Sequence, residues 1–106
     1  MSEFLELNTN KVGSVSYCYN CECFHLKLHG VLSFLSNDQL STIEFNLNKM
    51  KRDLEFSHNL SDPSIGVQIK LTKNTYLCLT YDELVLSLEL IDIAIYMKDV
   101  NDIVKL

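Results

Sequence analysis

Proline occurs once in this chain of 106 residues, glycine three times and tryptophan not at all. Folds built only of short strands need many turn residues, so this scarcity argues against an all-β sandwich and for mixed helix and strand. No apolar run reaches the roughly 18 residues of a membrane span. The opening Met1-Ser2-Glu3-Phe4-Leu5-Glu6 carries acid where a signal peptide carries base, so a cytosolic, membrane-free protein is expected. Basic residues are also short: nine Lys and Arg against fourteen Asp and Glu leave a net charge of −5, which repels phosphate backbones. Nucleic acid is thus disfavoured as a partner. The one basic cluster, Lys49, Lys51 and Arg52, reads as a solvated helix end that complements the carbonyl pole of the helix dipole. Missing too are the phosphate loop, the dinucleotide fingerprint, the metalloprotease helix motif and the serine elbow. The acids Asp82 and Glu83 are adjacent and would point apart on a helix, leaving no acid-base pair.

What is present suits one globular domain. Hydrophobic residues make up 47% and charged residues 22%, enough apolar surface for a chain of this length to fold around a single core. Laid on itself at an offset of 43 to 44 residues, the chain repeats. Leu26-Lys27-Leu28 matches Ile69-Lys70-Leu71, and Phe34-Leu35-Ser36-Asn37-Asp38-Gln39-Leu40 matches Cys78-Leu79-Thr80-Tyr81-Asp82-Glu83-Leu84. Each half reads as strand, turn (His29-Gly30; Lys73-Asn74), strand and helix start. Ser36 with Gln39, and Thr80 with Glu83, each have the capping-box spacing that satisfies the orphaned N–H groups of a helix start.

The first helix is expected over Asn37 to Asp53, with Leu40, Ile43, Leu47, Met50 and Leu54 as its apolar stripe. The second carries Leu84, Leu88, Ile91 and Ile95, but Val85, Leu86, Leu90, Ile93 and Met97 make nearly every face apolar. Residues 86–90 also alternate as a strand would. The capping box decides for helix, and a helix apolar all round needs cover on several sides. A homodimer through this helix is the expectation. Val12 to Tyr17 adds a strand ahead of the first unit. The chain divides into a first ββα unit with that strand (12–56), a connector around Pro63 that includes His58 (57–64), a second ββα unit (65–98) and a tail (99–106). The expected fold class is α+β: an antiparallel sheet of about five strands, with two helices on one face.

One cluster offers chemistry. Cys18, Cys21, Cys23, His25 and His29 fall within twelve residues of two expected strands and their turn, all on the polar side. A Cys-x-x-Cys at a hairpin tip can be a zinc knuckle, with Cys18, Cys21, Cys23 and His25 as a ligand set and His29 as a substitute. Positions 23 and 25 on a flat strand stand roughly 6–7 Å apart, however, and one zinc ion needs ligands within about 4 Å. A dithiol cycle would need a depressed thiol pKa. No helix start follows the pair, and Glu22 beside it opposes a thiolate. A cysteine nucleophile with a histidine base, Cys23 with His25, lacks an orienting third group. The same side chains read equally well as reduced thiols and solvated imidazoles beside a turn, with Cys78 as core filler.

The order Ser16-Tyr17-Cys18-x-x-Cys21, then Phe24-His25-Leu26-Lys27-Leu28-His29-Gly30, then Leu32-Ser33-Phe34-Leu35-Ser36 into a helix resembles a family of small uncharacterised bacterial proteins, mainly from Bacteroidetes, described only as a domain of unknown function. Leu77-Cys78-Leu79-Thr80 before Asp82-Glu83-Leu84 looks like that family's later helix start. The resemblance spans the chain from Val12 onward and implies no activity. It makes Cys18 and Cys21 the family-like pair, with Cys23 particular to this chain. The sequence thus reads as a non-enzymatic cytosolic interaction module with a structural Cys-x-x-Cys hairpin. A zinc-binding regulator or adaptor is the alternative, and a small thiol-dependent enzyme comes third.

Overall fold

A computed structural model of the protein describes residues 4–57 and 66–104. Its elements run β1 (Phe4–Asn10), β2 (Gly13–Cys18), β3 (Cys23–Leu28), β4 (Val31–Leu35), α1 (Asn37–Ser57), β5 (Gly66–Thr72), β6 (Thr75–Thr80) and α2 (Tyr81–Val104). The fold is α+β. β1 to β4 form a four-stranded antiparallel meander, and β5 with β6 forms a separate two-stranded sheet. This corrects the expected sheet of about five strands in two respects: β1 is an additional strand, and the β5–β6 hairpin does not join the larger sheet.

Alternation decides the faces. Val15 and Tyr17 of β2, Phe24, Leu26 and Leu28 of β3, and Leu35 of β4 are buried on one side, while Leu32 and Phe34 stand exposed on the other. Over the inner face α2 lies along β1 and β2, and α1 crosses β3 and β4 while also packing against β5 and α2. β1 was hard to recognise because its alternation is broken. The pairing of Glu6 with Ser16 is followed by Asn8 with Val15, so a bulge at Leu7 puts Leu7 and Asn8 on the same inner side. Asn8 and Asn10 consequently face α2, where their Nδ2 groups donate to the carbonyls of Leu90 and Leu86 at 3.4 and 2.9 Å.

Both capping boxes are formed. Ser36 N–H donates to Gln39 Oε1 and Gln39 N–H to Ser36 Oγ, at 2.8 and 3.2 Å. Thr80 N–H and Glu83 N–H make the equivalent pair with Glu83 Oε1 and Thr80 Oγ1, at 2.9 and 3.2 Å. Residues 84–97 are helical, so the cap prevails over the alternation. Each helix outruns its expected end. α1 continues to Ser57 because Leu54 is buried and Lys51 pairs with Glu55 at 3.0 Å, while Tyr81 O–H donates to Glu55 at 2.6 Å. Lys49, Lys51 and Arg52 thus lie inside the helix, and its last turn holds no base. α2 continues to Val104 and absorbs most of the expected tail. The connector from residue 58 to 64, His58 included, and the tail's last two residues lie outside the described residues.

The apolar wrap of α2 is accounted for within the chain. Leu84, Leu88, Leu90, Ile91 and Ala94 are buried among the inner sheet face, β6 and α1, and buried Ser87 satisfies its hydroxyl on the Glu83 carbonyl at 2.7 Å. Cover on several sides therefore comes first from the chain itself. Among the described residues no helix is long and apolar enough to cross a membrane.

Two expected outcomes follow from this packing. Gly13 opens β2 so close to β3 that an added Cβ would lie within the Lys27 carbonyl, which is backbone and cannot swing away. Gly13→Ala should cost at least about 2 kcal/mol in urea unfolding. Between the helices, Glu44 shares a hydrogen bond with Asp92. This bond, partial burial and the like charge raise its pKa from 4.5 to about 7. A raised carboxyl pKa means that the folded state takes up a proton, so the contribution is complete below about pH 4.5 and lost as pH rises through about 7. Glu44→Gln should raise the melting temperature at pH 8 and leave it nearly unchanged at pH 4.

Candidate functional site

β2 ends on Cys18 directly opposite Cys23, the first residue of β3, so Tyr19, Asn20, Cys21 and Glu22 make the turn between them. Glu22 closes that turn in the left-handed region, at a φ of 54°. A side chain there costs more than glycine would, and neighbouring contacts must hold it. The chain reversal folds Cys21 back over Cys18, with the two Sγ atoms 3.0 Å apart and the Cys21 N–H directed at Cys18 Sγ at 3.3 Å.

The two sulfurs differ electrically. The Cys18 thiol is held below its ordinary value because the Cys21 thiol and then the Cys21 backbone N–H donate to it, with the Asn20 N–H adding to them against the cost of burial. The Cys21 thiol is pushed up to about 11, first because its proton bridges to Cys18, then by burial and by the nearby sulfurs of Cys18 and Cys23. The Cys21 backbone N–H aimed at Cys18 Sγ favours negative charge on Cys18. No helix start adjoins the pair to support a thiolate with its dipole. The backbone N–H groups of the turn provide that support, as a concave run of amides does for an anion.

A second set of contacts seats the turn on α2. Tyr19 O–H donates to Asp102 Oδ1 at 3.1 Å, and Asn101 Nδ2 donates to Tyr19 Oη. Lys98 pairs with Asp102 and sits 4.2 Å from the centre of the Tyr17 ring, a cation–π contact. Tyr17 in turn meets Tyr19 and Phe24 edge-on at 4.8 and 4.9 Å. These positioning residues were missed in the sequence because α2 was expected to stop near Met97. Their signal was the polar set Lys98, Asn101 and Asp102, spaced three and four apart at the end of an apolar helix.

The remaining candidates are scattered. His25 shares the outer sheet face with Cys18 and Cys23, but its ring lies between Phe4 and Phe34, edge-on to each at 4.6 Å. His29 is at the opposite end of β3 from Cys23. It occupies the β3–β4 turn at a φ of 50°, and its Nε2 lies 3.7 Å from Glu83. It therefore cannot substitute in a ligand set at the cysteines. Cys78 is exposed on β6 and is not core filler. Among the described residues no group of three or more His, Cys, Asp or Glu side chains is arranged to hold a metal ion.

α2 also carries an apolar stripe that the chain leaves open. Ile93, Tyr96 and Met97 are 48%, 66% and 42% exposed, and Ile103 and Val104 continue the stripe beyond half-buried Val100. No family model, curated protein or solved structure matches the chain significantly.

The scattered histidines give a concrete expectation for metal. Native mass spectrometry of the purified chain should show the metal-free mass, and excess chelator should leave the helical circular dichroism unchanged. One zinc per chain, lost together with the fold, would restore Cys18, Cys21, Cys23 and His25 as a ligand set.

Proposed function

We propose that this chain is a non-enzymatic interaction module of the cytosol that pairs with a second copy of itself through the C-terminal half of α2. The observation that carries the reading is the spacing of the uncovered stripe. Ile93, Met97, Val100 and Val104 recur in steps of four, three and four, flanked by exposed Tyr96 and Ile103. That is the period of a helix–helix seam, and singly exposed apolar residues, which are ordinary on any surface, do not produce it. Two copies related by a two-fold axis present the same stripe to each other, so one sequence serves both sides. The four cysteines stand as free thiols, which suits a reducing compartment.

Pairing through α2 leaves the outer sheet face, with Phe4, Leu32 and Phe34 exposed around His25, for a protein partner of another kind. We also read β3-β4-α1 and β5-β6-α2 as two copies of one ββα unit. Matching capping boxes, buried Leu35 with Leu79, and exposed Phe34 with Cys78 support this.

Sedimentation equilibrium at tens of micromolar should give a dimer. Met97→Glu, which puts a charge in the seam and touches no buried position, should shift it to monomer with the helical signal retained. A parent chain that is monomeric at this concentration would overturn the reading.

A further inference from the structure

The turn that brings Cys21 over Cys18 builds a reactive pair, and nothing in the proposed pairing through α2 uses it. We propose that Cys18 and Cys21 are a peroxide-reactive dithiol site, Cys18 the attacking and Cys21 the resolving thiol, which closes reversibly to a disulfide.

The geometry assigns the roles. Cys18 Sγ lies 3.0 Å from Cys21 Sγ and accepts from the Cys21 backbone N–H at 3.3 Å, so electron density on that sulfur is stabilised where it is needed for attack. Cys18 is 8% exposed at the base of the turn, while Cys21 is exposed at its tip. A small oxidant is thus favoured over a bulky one. The direction of the two thiol shifts, Cys18 lowered and Cys21 raised, agrees with these roles. Closure needs little motion, because a disulfide sets its sulfurs about 2.05 Å apart and these start at 3.0 Å. The turn itself is held by Tyr19 on Asp102 and Asn101 of α2, so the pair is presented on a fixed support.

The oxidant is hydrogen peroxide. The Cys18 thiolate attacks one peroxide oxygen, the O–O bond breaks, and the departing hydroxide takes up a proton to leave as water, giving a sulfenic acid on Cys18. Cys21 sulfur then attacks the Cys18 sulfur. The S–O bond breaks, and hydroxide leaves with the Cys21 proton as a second water. Two thiols and one peroxide become one disulfide and two waters, the two electrons passing from the sulfurs to the peroxide oxygens. A small thiol in excess reverses the closure by exchange.

Cys78 supplies an internal reference, being an exposed thiol on β6 away from the turn. If exposure alone governed reactivity, Cys78 would oxidise first. The full chain at pH 7 is treated with limiting peroxide, alkylated at intervals and mapped by mass spectrometry. A Cys18–Cys21 link should form at least tenfold faster than any oxidation of Cys78, and a small thiol should remove it. In Cys21→Ser, dimedone should label Cys18. In Cys18→Ser, oxidation of Cys21 and Cys23 should fall to the rate of Cys78, with circular dichroism reporting that both variants are folded. Oxidation of Cys78 at an equal or greater rate, a Cys21–Cys23 link in the parent chain, or dimedone on Cys21 alone would overturn the proposal. If both variants fail to fold, the parent's rate ratio and the position of its link decide by themselves.

Discussion

Burial of α2 is the constraint on which the other parts of the structure depend. Leu84, Leu88, Leu90, Ile91 and Ala94 present apolar surface in directions that no single neighbour could cover. The inner face of β1 and β2 takes one side, α1 takes another and β6 meets the start of the helix. Burying a leucine side chain is worth about 1.5–3 kcal/mol, so these positions together outweigh the local preference of residues 86–90 for alternation. The bulge in β1 also serves this contact. It turns Asn8 and Asn10 inward, where they bond to the Leu90 and Leu86 carbonyls instead of being buried without partners.

The same helix organises the site from a distance. Its polar end, Lys98, Asn101 and Asp102, grips Tyr19 and Tyr17, and this holds the turn in which the two sulfurs meet. The left-handed residue Glu22 is tolerated because the strand ends on either side, Cys18 and Cys23, are paired in the sheet. A Cys-x-x-Cys pair without an adjoining helix thus acquires an anion-stabilising environment from turn amides and a neighbouring thiol. The stripe proposed for pairing lies on α2, and the dithiol lies on the turn between β2 and β3. Substitutions at either can therefore be made without dismantling the other.

Much of the fold was legible from local signals. The two capping boxes stand where their Ser-x-x-Gln and Thr-x-x-Glu spacing put them, and the inward and outward residues of β2 and β3 follow their alternation. β1 was not legible, because a bulge shifts the phase of alternation and its inward asparagines look like loop residues until α2 is beside them. The separation of β5 and β6 into their own sheet was equally hidden, since strand patterns do not state which edges pair. At the site, the sequence brought Cys18, Cys21, Cys23 and His25 to one face. It could not show that His25 would be held between Phe4 and Phe34.

By itself, then, the sequence determined everything that depends on neighbours within a few residues: caps, helical stripes, strand faces and the presence of sulfur at a turn. Only the tertiary structure decided how α2 is covered, where its end anchors the turn, and which cysteine receives the turn's backbone N–H. Those outcomes depend on contacts between residues as far apart as Tyr19 and Asp102, and on the direction of individual N–H groups. Neither composition nor spacing encodes them, because both are fixed only when the elements pack.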